Sequence, residues 1–191
     1  IGLQGGRNAG VPGEDAAGIE SGISFLKRIN QDHTKKLDGD VVVIGGGNVA
    51  CDVARTALRT TEGKVTMLCL ESEAEMPAAK DEVAEAREEG IEILNGWGPK
   101  EILSKDGKVT GIVFKKCTSV KDADGRFNPQ YDETDTIEIS CANILLSIGQ
   151  SVVMGDLLKG TAVETNPNGT IKADPVTFQT AEADIFAGGD V

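Results

Sequence analysis

The sequence predicts an α/β fold: a three-layer parallel sheet carrying an inserted antiparallel β-meander. Three observations predict it. Short apolar runs alternate with helix-spaced segments between residues 40 and 94, the β-α-β-α-β rhythm of a parallel sheet whose crossovers are helices. A run of three glycines, Gly45-Gly46-Gly47, joins the first of those strands to the first of those helices. A turn dipeptide, Asp106-Gly107, then sits between two alternating runs, as in a tight antiparallel hairpin. The 191 residues amount to one domain and a remainder, long enough to bury a core without disulfides or a structural metal. Glycine, at 24 residues, is well above the usual ~7%, so many backbone positions need positive φ or close approach.

Three zones are expected: 1–35, 36–150 and 151–191. The first begins loop-like and Gly-rich, then carries the helix-spaced set Ile19, Ile23, Leu26 and Ile29. The second opens with the buried strand Val41-Val42-Val43-Ile44, followed by a helix from Asn48 to about Thr60 with Val49, Val53, Ala57 and Leu58 on its apolar side. Lys64 to Leu70 reads as a second strand and Ala78 to Glu89 as a second helix, introduced by Pro77 and ended by Gly90. Ile91 to Leu94 is a third strand. The hairpin follows, with arms 102–105 and 108–118, then an acidic loop over 121–135 and a strand over Thr136 to Ser140. Ala142 to Ile148 returns as an apolar strand. The third zone is loop-rich, with a turn at Asn168-Gly169 and a last strand over Asp184 to Ala187.

Charge and cysteine usage exclude several classes. A net charge of −12 argues against nucleic acid and anionic membrane as partners, since both are polyanions. No run reaches the ~18 apolar residues of a spanning helix, and no charged-then-apolar leader is visible, so no export signal is expected. The chain begins at Ile1 rather than Met, as expected of a fragment or trimmed product. Cys51, Cys69, Cys117 and Cys141 are dispersed, without metal-ligand or Cys-x-x-Cys spacing, so no metal site is expected and the thiols fit a reducing cytoplasm.

Gly45-Gly46-Gly47-Asn48-Val49-Ala50 fits G-x-G-x-x-A in the required strand–turn–helix context. Gly45 makes the tight turn, Gly47 leaves the backbone open to a pyrophosphate, and Ala50 lets the helix approach the strand. The first N–H groups of the helix would face the diphosphate, with Asn48 expected to cap the helix and touch that group. A purely structural glycine turn is the alternative. Glu71, 21 residues after Ala50, has the spacing of the acid that grips the ribose diol of NAD. No Arg or Lys lies between Lys64 and Lys80 to hold a 2′-phosphate, and Glu71, Glu73 and Glu75 would repel one. NADH is therefore expected over NADPH; a merely solvated acidic turn is the alternative.

The string VVVIGGGNVACDVARTALR from Val41, with EAEMPA ending at Ala78, resembles the glutamate synthase small-subunit family of flavoproteins. Ile1 to Asp15 is similar to that family's passage from its FAD domain into its pyridine-nucleotide domain, and Ala142 to Gln150 to the strand and turn leading back. Ile185 to Val191 is similar to the start of a second FAD fingerprint, where Gly189 and Asp190 would contact FAD. The resemblance implies a Rossmann-like fold of the two-dinucleotide-binding flavoprotein type. Zone 1–35 would then be the crossing segment plus a helix, 36–150 the NAD(P)H-binding domain, and 151–191 the return into a largely absent FAD domain. Many members carry two Arg for the NADPH 2′-phosphate at the positions occupied here by Leu70 and Glu71. NADH is thus expected against the family's habit, with FAD belonging to the full-length parent only.

Hydride would pass from nicotinamide to that FAD, and electrons onward to iron–sulfur clusters or a partner subunit. Gly149 and Gln150 are candidates for lining the approach of nicotinamide to flavin. No side chain stands out as catalytic: Tyr131 lacks a Lys four residues on, His33 lies in a polar stretch, and the cofactors carry the chemistry. Asp122-Ala123-Asp124-Gly125 lacks the remaining ligands of a calcium loop, and Asn168-Gly169-Thr170 reads as turn chemistry. A stand-alone NAD-binding or sensing module is the alternative function, and NADPH preference in the same domain is another. The isolated fragment is expected to be inactive.

Overall fold

The computed structural model describes residues 2–191; Ile1, at the head of the crossing segment, lies outside the described residues. The chain forms two compact units, one of residues 7–148 and one of residues 2–6 with 149–191.

In the larger unit, β2 (Ile19–Ser21), β3 (Val41–Ile44), β4 (Val65–Cys69), β5 (Glu92–Asn95) and β9 (Asn143–Leu146) make a five-stranded sheet in the order β2-β9-β3-β4-β5. Every pairing is parallel, with Val41 opposite Val65 on one side and Asn143 on the other. Parallel strands need crossovers, supplied here by α1 (Gly22–Gln31), α2 (Asn48–Thr60) and α3 (Lys80–Glu88). The helices cover one face: Phe25, Ile29, Val53, Ala57, Val83 and Ala86 pack with Val41 and Val43. A meander of β6 (Trp97–Lys105), β7 (Lys108–Lys121) and β8 (Phe127–Ser140) covers the other, where Ile102, Ile112 and Phe114 pack with Val42 and Ile44. That is why β3 is apolar at every position: alternate residues serve two different cores, each contributing roughly 1.5–3 kcal/mol when fully buried. The expected α/β fold, with its parallel sheet and antiparallel insertion, is the observed one.

The smaller unit is built differently. β1 (Gly5–Gly6) pairs antiparallel with β10 (Gln150–Ser151), and the rest is turns with isolated bridges. None of its described residues is buried, and Val153, Leu157, Val176, Phe178 and Phe186 are exposed. No helix among the described residues is long and apolar enough to cross a membrane.

Several local expectations are corrected. Ile19 belongs to a strand, because its segment pairs with Ile144 to Leu146; the helix starts only at Gly22, where the Ser21 hydroxyl accepts the Ser24 N–H at 3.2 Å. The acidic loop expected over 121–135 shrinks to residues 122–126 and the rest is strand. Its acids are tolerated because the neighbouring strands present lysines, Lys115 meeting Glu133 at 2.7 Å and Lys100 at 3.8 Å. Residues 184–187 contribute one bridge, Gln179 with Phe186, rather than a strand. Asp106 and Gly107 have φ of 53° and 74°, the two positive values that the expected hairpin turn requires.

Candidate functional site: a dinucleotide cradle

Three glycines at the end of β3 do three different things. Gly45 sits at φ 147°, and a Cβ there would collide with the carbonyl of Ser147, which follows β9. Gly46 is wedged sideways: a Cβ would meet Glu71 Oε2 at 2.8 Å and Cys69 Cβ at 3.0 Å. Gly47 faces open space, with nothing within 4 Å of a Cβ. It is also the N-cap of α2, at φ −96°, and no side chain caps the helix there. The N–H groups of Ala50 and Cys51 return to the Gly47 carbonyl at 2.9 and 3.3 Å. Those of Gly46, Gly47, Asn48 and Val49 take no backbone acceptor among the described residues. Four unclaimed donors, an open face and a helix N-terminus can together receive a diphosphate.

Asn48 does not cap the helix as expected. It is the helix's first residue, and its Oδ1 instead accepts the Ala79 N–H at 2.7 Å, while the Ala78 N–H donates to the Gly46 carbonyl at 3.0 Å. The Pro77 segment is thereby stitched to the glycine turn. Ala50 is fully buried, the condition for close helix–strand approach, while Val49 is half-buried against the helical core.

The three acids after β4 separate by their partners. Glu73 is held by Arg87 at 2.5 Å, which keeps its carboxyl below the usual range, and Glu75 accepts the Ser72 hydroxyl at 2.5 Å. Glu71 alone reaches the glycine turn, and it has no cation within ion-pair distance among the described residues. Its backbone is pinned, since its carbonyl accepts from Gly96 N–H at 3.1 Å and Asn95 Nδ2 at 3.2 Å. An unpaired carboxylate on a pinned backbone beside the cradle can accept two hydrogen bonds from a ribose diol. Beyond it opens a cleft of about 270 Å³, whose lining includes Leu70, Ser72, Asn95, Gly96, Lys116 and Thr118. Asn95, Gly96 and Lys116 were not legible as site residues, because only the folding of β7 over the ends of β4 and β5 makes them neighbours.

Gly149, Gln150, Gly189 and Asp190 lie in the smaller unit. Gly149 has φ 109° and is exposed, Gln150 pairs with Gly6 in β1, and Gly189 (φ 79°) and Asp190 are exposed.

All four cysteines are buried and free. Burial first, then the charge of Glu71, pushes the Cys69 thiol up to about 12; burial and then Asp40 do the same for Cys141, and Cys51 and Cys117 also rise. These groups keep their protons longer in the folded chain than in the unfolded one. Their stabilisation is therefore complete below the ordinary thiol value of 9.0 and is lost as pH climbs toward about 12. Iodoacetamide at pH 8 is expected to leave Cys51, Cys69 and Cys141 unmodified in the native chain and to alkylate all four in denaturant; mass spectrometry of the peptides checks this.

The class is then defined by a parallel sheet, a glycine turn at the centre and an acid ending the next strand: a dinucleotide-binding α/β domain. Residues 4–191 match the family described as Pyridine nucleotide-disulphide oxidoreductase, and the chain belongs to that oxidoreductase family. It is 36% identical over its whole length to the NADP(+)-dependent formate dehydrogenase subunit beta of Moorella thermoacetica, covering 27% of that protein. It is 30% identical over 95% of its length to the glutamate synthase [NADPH] small chain of Halomonas elongata, covering 41% of it. The resemblance to glutamate synthase small subunits therefore stands, and the chain spans less than half of these relatives. Among solved structures, thioredoxin reductase of T. acidophilum superposes with a TM-score of 0.73 at 22% identity, over 97% of this chain and 54% of that one.

Proposed function

We propose that this chain is the NADH-binding domain of a flavin-dependent oxidoreductase, with residues 36–150 holding the nucleotide and the flanking segments 1–35 and 151–191 leading into an FAD domain. NADH supplies a hydride, FAD held by that domain accepts it, and electrons pass on to iron–sulfur clusters or a partner subunit. The observation carrying this reading is the Glu71 carboxylate, 2.8 Å from where a Cβ of Gly46 would sit, beside the open N–H groups of the turn. Glu71 accepts from the diol, the open N–H groups of Gly46 to Val49 hold the diphosphate with Ala50 packed beneath them, and the chain itself moves no proton.

Both relatives are named for NADP(H), yet a 2′-phosphate beside Glu71 meets an unpaired carboxylate at the point where it needs a cation. NADH is the nucleotide that this arrangement accepts. Gly149 and Gln150 line the nicotinamide's approach to flavin, and Gly189 and Asp190 contact FAD. The smaller unit's exposed Val176, Phe178 and Phe186, with no buried residue beneath them, support a flavin domain as its cover.

Parallel calorimetric titrations with NADH and NADPH at one ionic strength test the reading, with NADH expected to bind more tightly. Removing a charged acceptor from the diol costs about 1.5–3 kcal/mol. Glu71→Arg is thus expected to weaken NADH about 10- to 100-fold and to tighten NADPH. Unchanged selectivity in that variant would overturn the assignment.

A further inference from the structure

We propose that Lys116, on the meander strand β7, is a second specificity-determining residue of the nucleotide site, a fixed cation facing the 2′ side of the adenosine ribose that sets how strongly a 2′-phosphate is rejected. The inference rests on the reading of Gly45 to Ala50 and Glu71 as a dinucleotide site. The cleft that Lys116 lines is bounded by both chain neighbours of Glu71, Leu70 and Ser72, and by Asn95 and Gly96, which hold the Glu71 carbonyl. Glu71 itself turns its carboxylate toward Gly46, and the proposal places the 2′ edge and the base of a ribose bound there in the adjoining cleft.

Lys116 is the one cation among the residues lining it. Its ammonium stands 4.6 Å from the centroid of Trp97, the residue directly opposite in β6. Gly96 makes room for it, since a Cβ there would lie 3.2 Å from Nζ. Among the described residues it forms no ion pair, whereas its neighbour Lys115 is committed to Glu133 at 2.7 Å and to the face of Tyr131 at 4.3 Å. An aromatic platform thus holds the Lys116 charge in place while leaving its donors unclaimed.

Of the acids on the opposite wall, Glu73 is paired with Arg87, while Glu75 accepts the Ser72 hydroxyl and keeps its charge. Cys117 reports the same balance. Its thiol is raised mainly by burial, lowered by its hydrogen bond to the Ser119 backbone, and shifted less by the charges of Glu71 and Glu75, which raise it, and of Lys116, which lowers it. Both signs therefore act on one small space. Glu71 takes the diol of NADH, and Lys116 offers a 2′-phosphate the one counter-charge among the described residues that line the cleft, so discrimination is smaller than Glu71 alone would impose.

The test titrates the chain with NADH and NADPH, which differ only in the 2′-phosphate, in wild type, Lys116→Met, Lys116→Arg and Gly47→Asp. A second series repeats the two lysine variants in a Glu71→Ser background, where NADPH binds tightly enough to measure with precision. Lys116→Met is expected to raise the ratio of NADPH to NADH dissociation constants about tenfold, with NADH changing less than about threefold, and Lys116→Arg to restore it. The same dependence is expected without Glu71. Equal weakening of both nucleotides, or an unchanged ratio in both backgrounds, overturns the role of Lys116 if Gly47→Asp still abolishes binding. If wild type binds neither nucleotide, or Gly47→Asp binds both unchanged, the dinucleotide reading itself fails and the proposal with it.

Discussion

Gly45→Ala is expected to lower the melting temperature by more than about 8 °C, and Gly47→Ala, two residues on, to leave it nearly unchanged. The two glycines share a turn and differ in surroundings. Gly45 holds φ 147°, which an L side chain rarely adopts, and its Cβ would strike the backbone carbonyl of Ser147. That carbonyl cannot yield easily. The Ser147 N–H donates to the Ile44 carbonyl at 2.7 Å, and the Gly45 N–H donates to Leu68 at 2.8 Å, so the collision falls where β9, β3 and β4 are locked together. Backbone strain of about 1–3 kcal/mol and a comparable overpacking term together come to roughly 4 kcal/mol. That is a large part of the ~5–15 kcal/mol that holds a domain folded. Gly47 has an ordinary φ of −96° and empty space around it. Thermal unfolding followed by circular dichroism compares the two variants. Equal melting temperatures would mean that the chain at Ser147, just past β9, adjusts more freely than its hydrogen bonds imply.

The parts of the fold that were legible in the sequence are those fixed by local chemistry. Val41 to Ile44 is apolar at every position because helices cover one face and the meander the other, and an unbroken run is what such a strand must look like. Asp106-Gly107 demanded two positive φ values, and 53° and 74° are what it has. What stayed hidden depends on partners far away in the chain. The first part of β8, residues 127–135, is rich in acids and reads as a loop until Lys115 and Lys100 are placed beside Glu133. Ile19 fits a helical spacing and becomes strand because Ile144 offers it a ladder. Asn48 has the chemistry of a cap and spends it on Ala79, 31 residues away. In the candidate site the glycines and Glu71 stood out because each satisfies a local requirement of spacing or turn geometry. Lys116 did not, since its place beside the end of β4 is set by the pairing of Trp97 with Lys116 across two strands.

Gly47→Asp is expected to separate stability from binding, moving them in opposite directions. The residue is the N-cap of α2 and has extended backbone that any residue can adopt, yet it supplies no capping side chain. Aspartate is among the best N-caps, and its charge suits the positive end of the helix, so the fold is expected to gain a few tenths of a kcal/mol. The same carboxylate would claim the N–H groups of the first turn and set a negative charge where a diphosphate has to sit. Loss of those donors, each worth about 1.5–3 kcal/mol toward a charged group, together with like-charge repulsion, predicts at least a 100-fold loss of NADH affinity. Calorimetry gives the affinity and a melting curve gives the stability of the same sample. A variant that is slightly more stable and no longer binds NADH would show that the glycine is kept for the nucleotide at the expense of the helix. A variant that binds NADH as wild type does would mean that the open N–H groups of Gly46 to Val49 are a structural turn and nothing more.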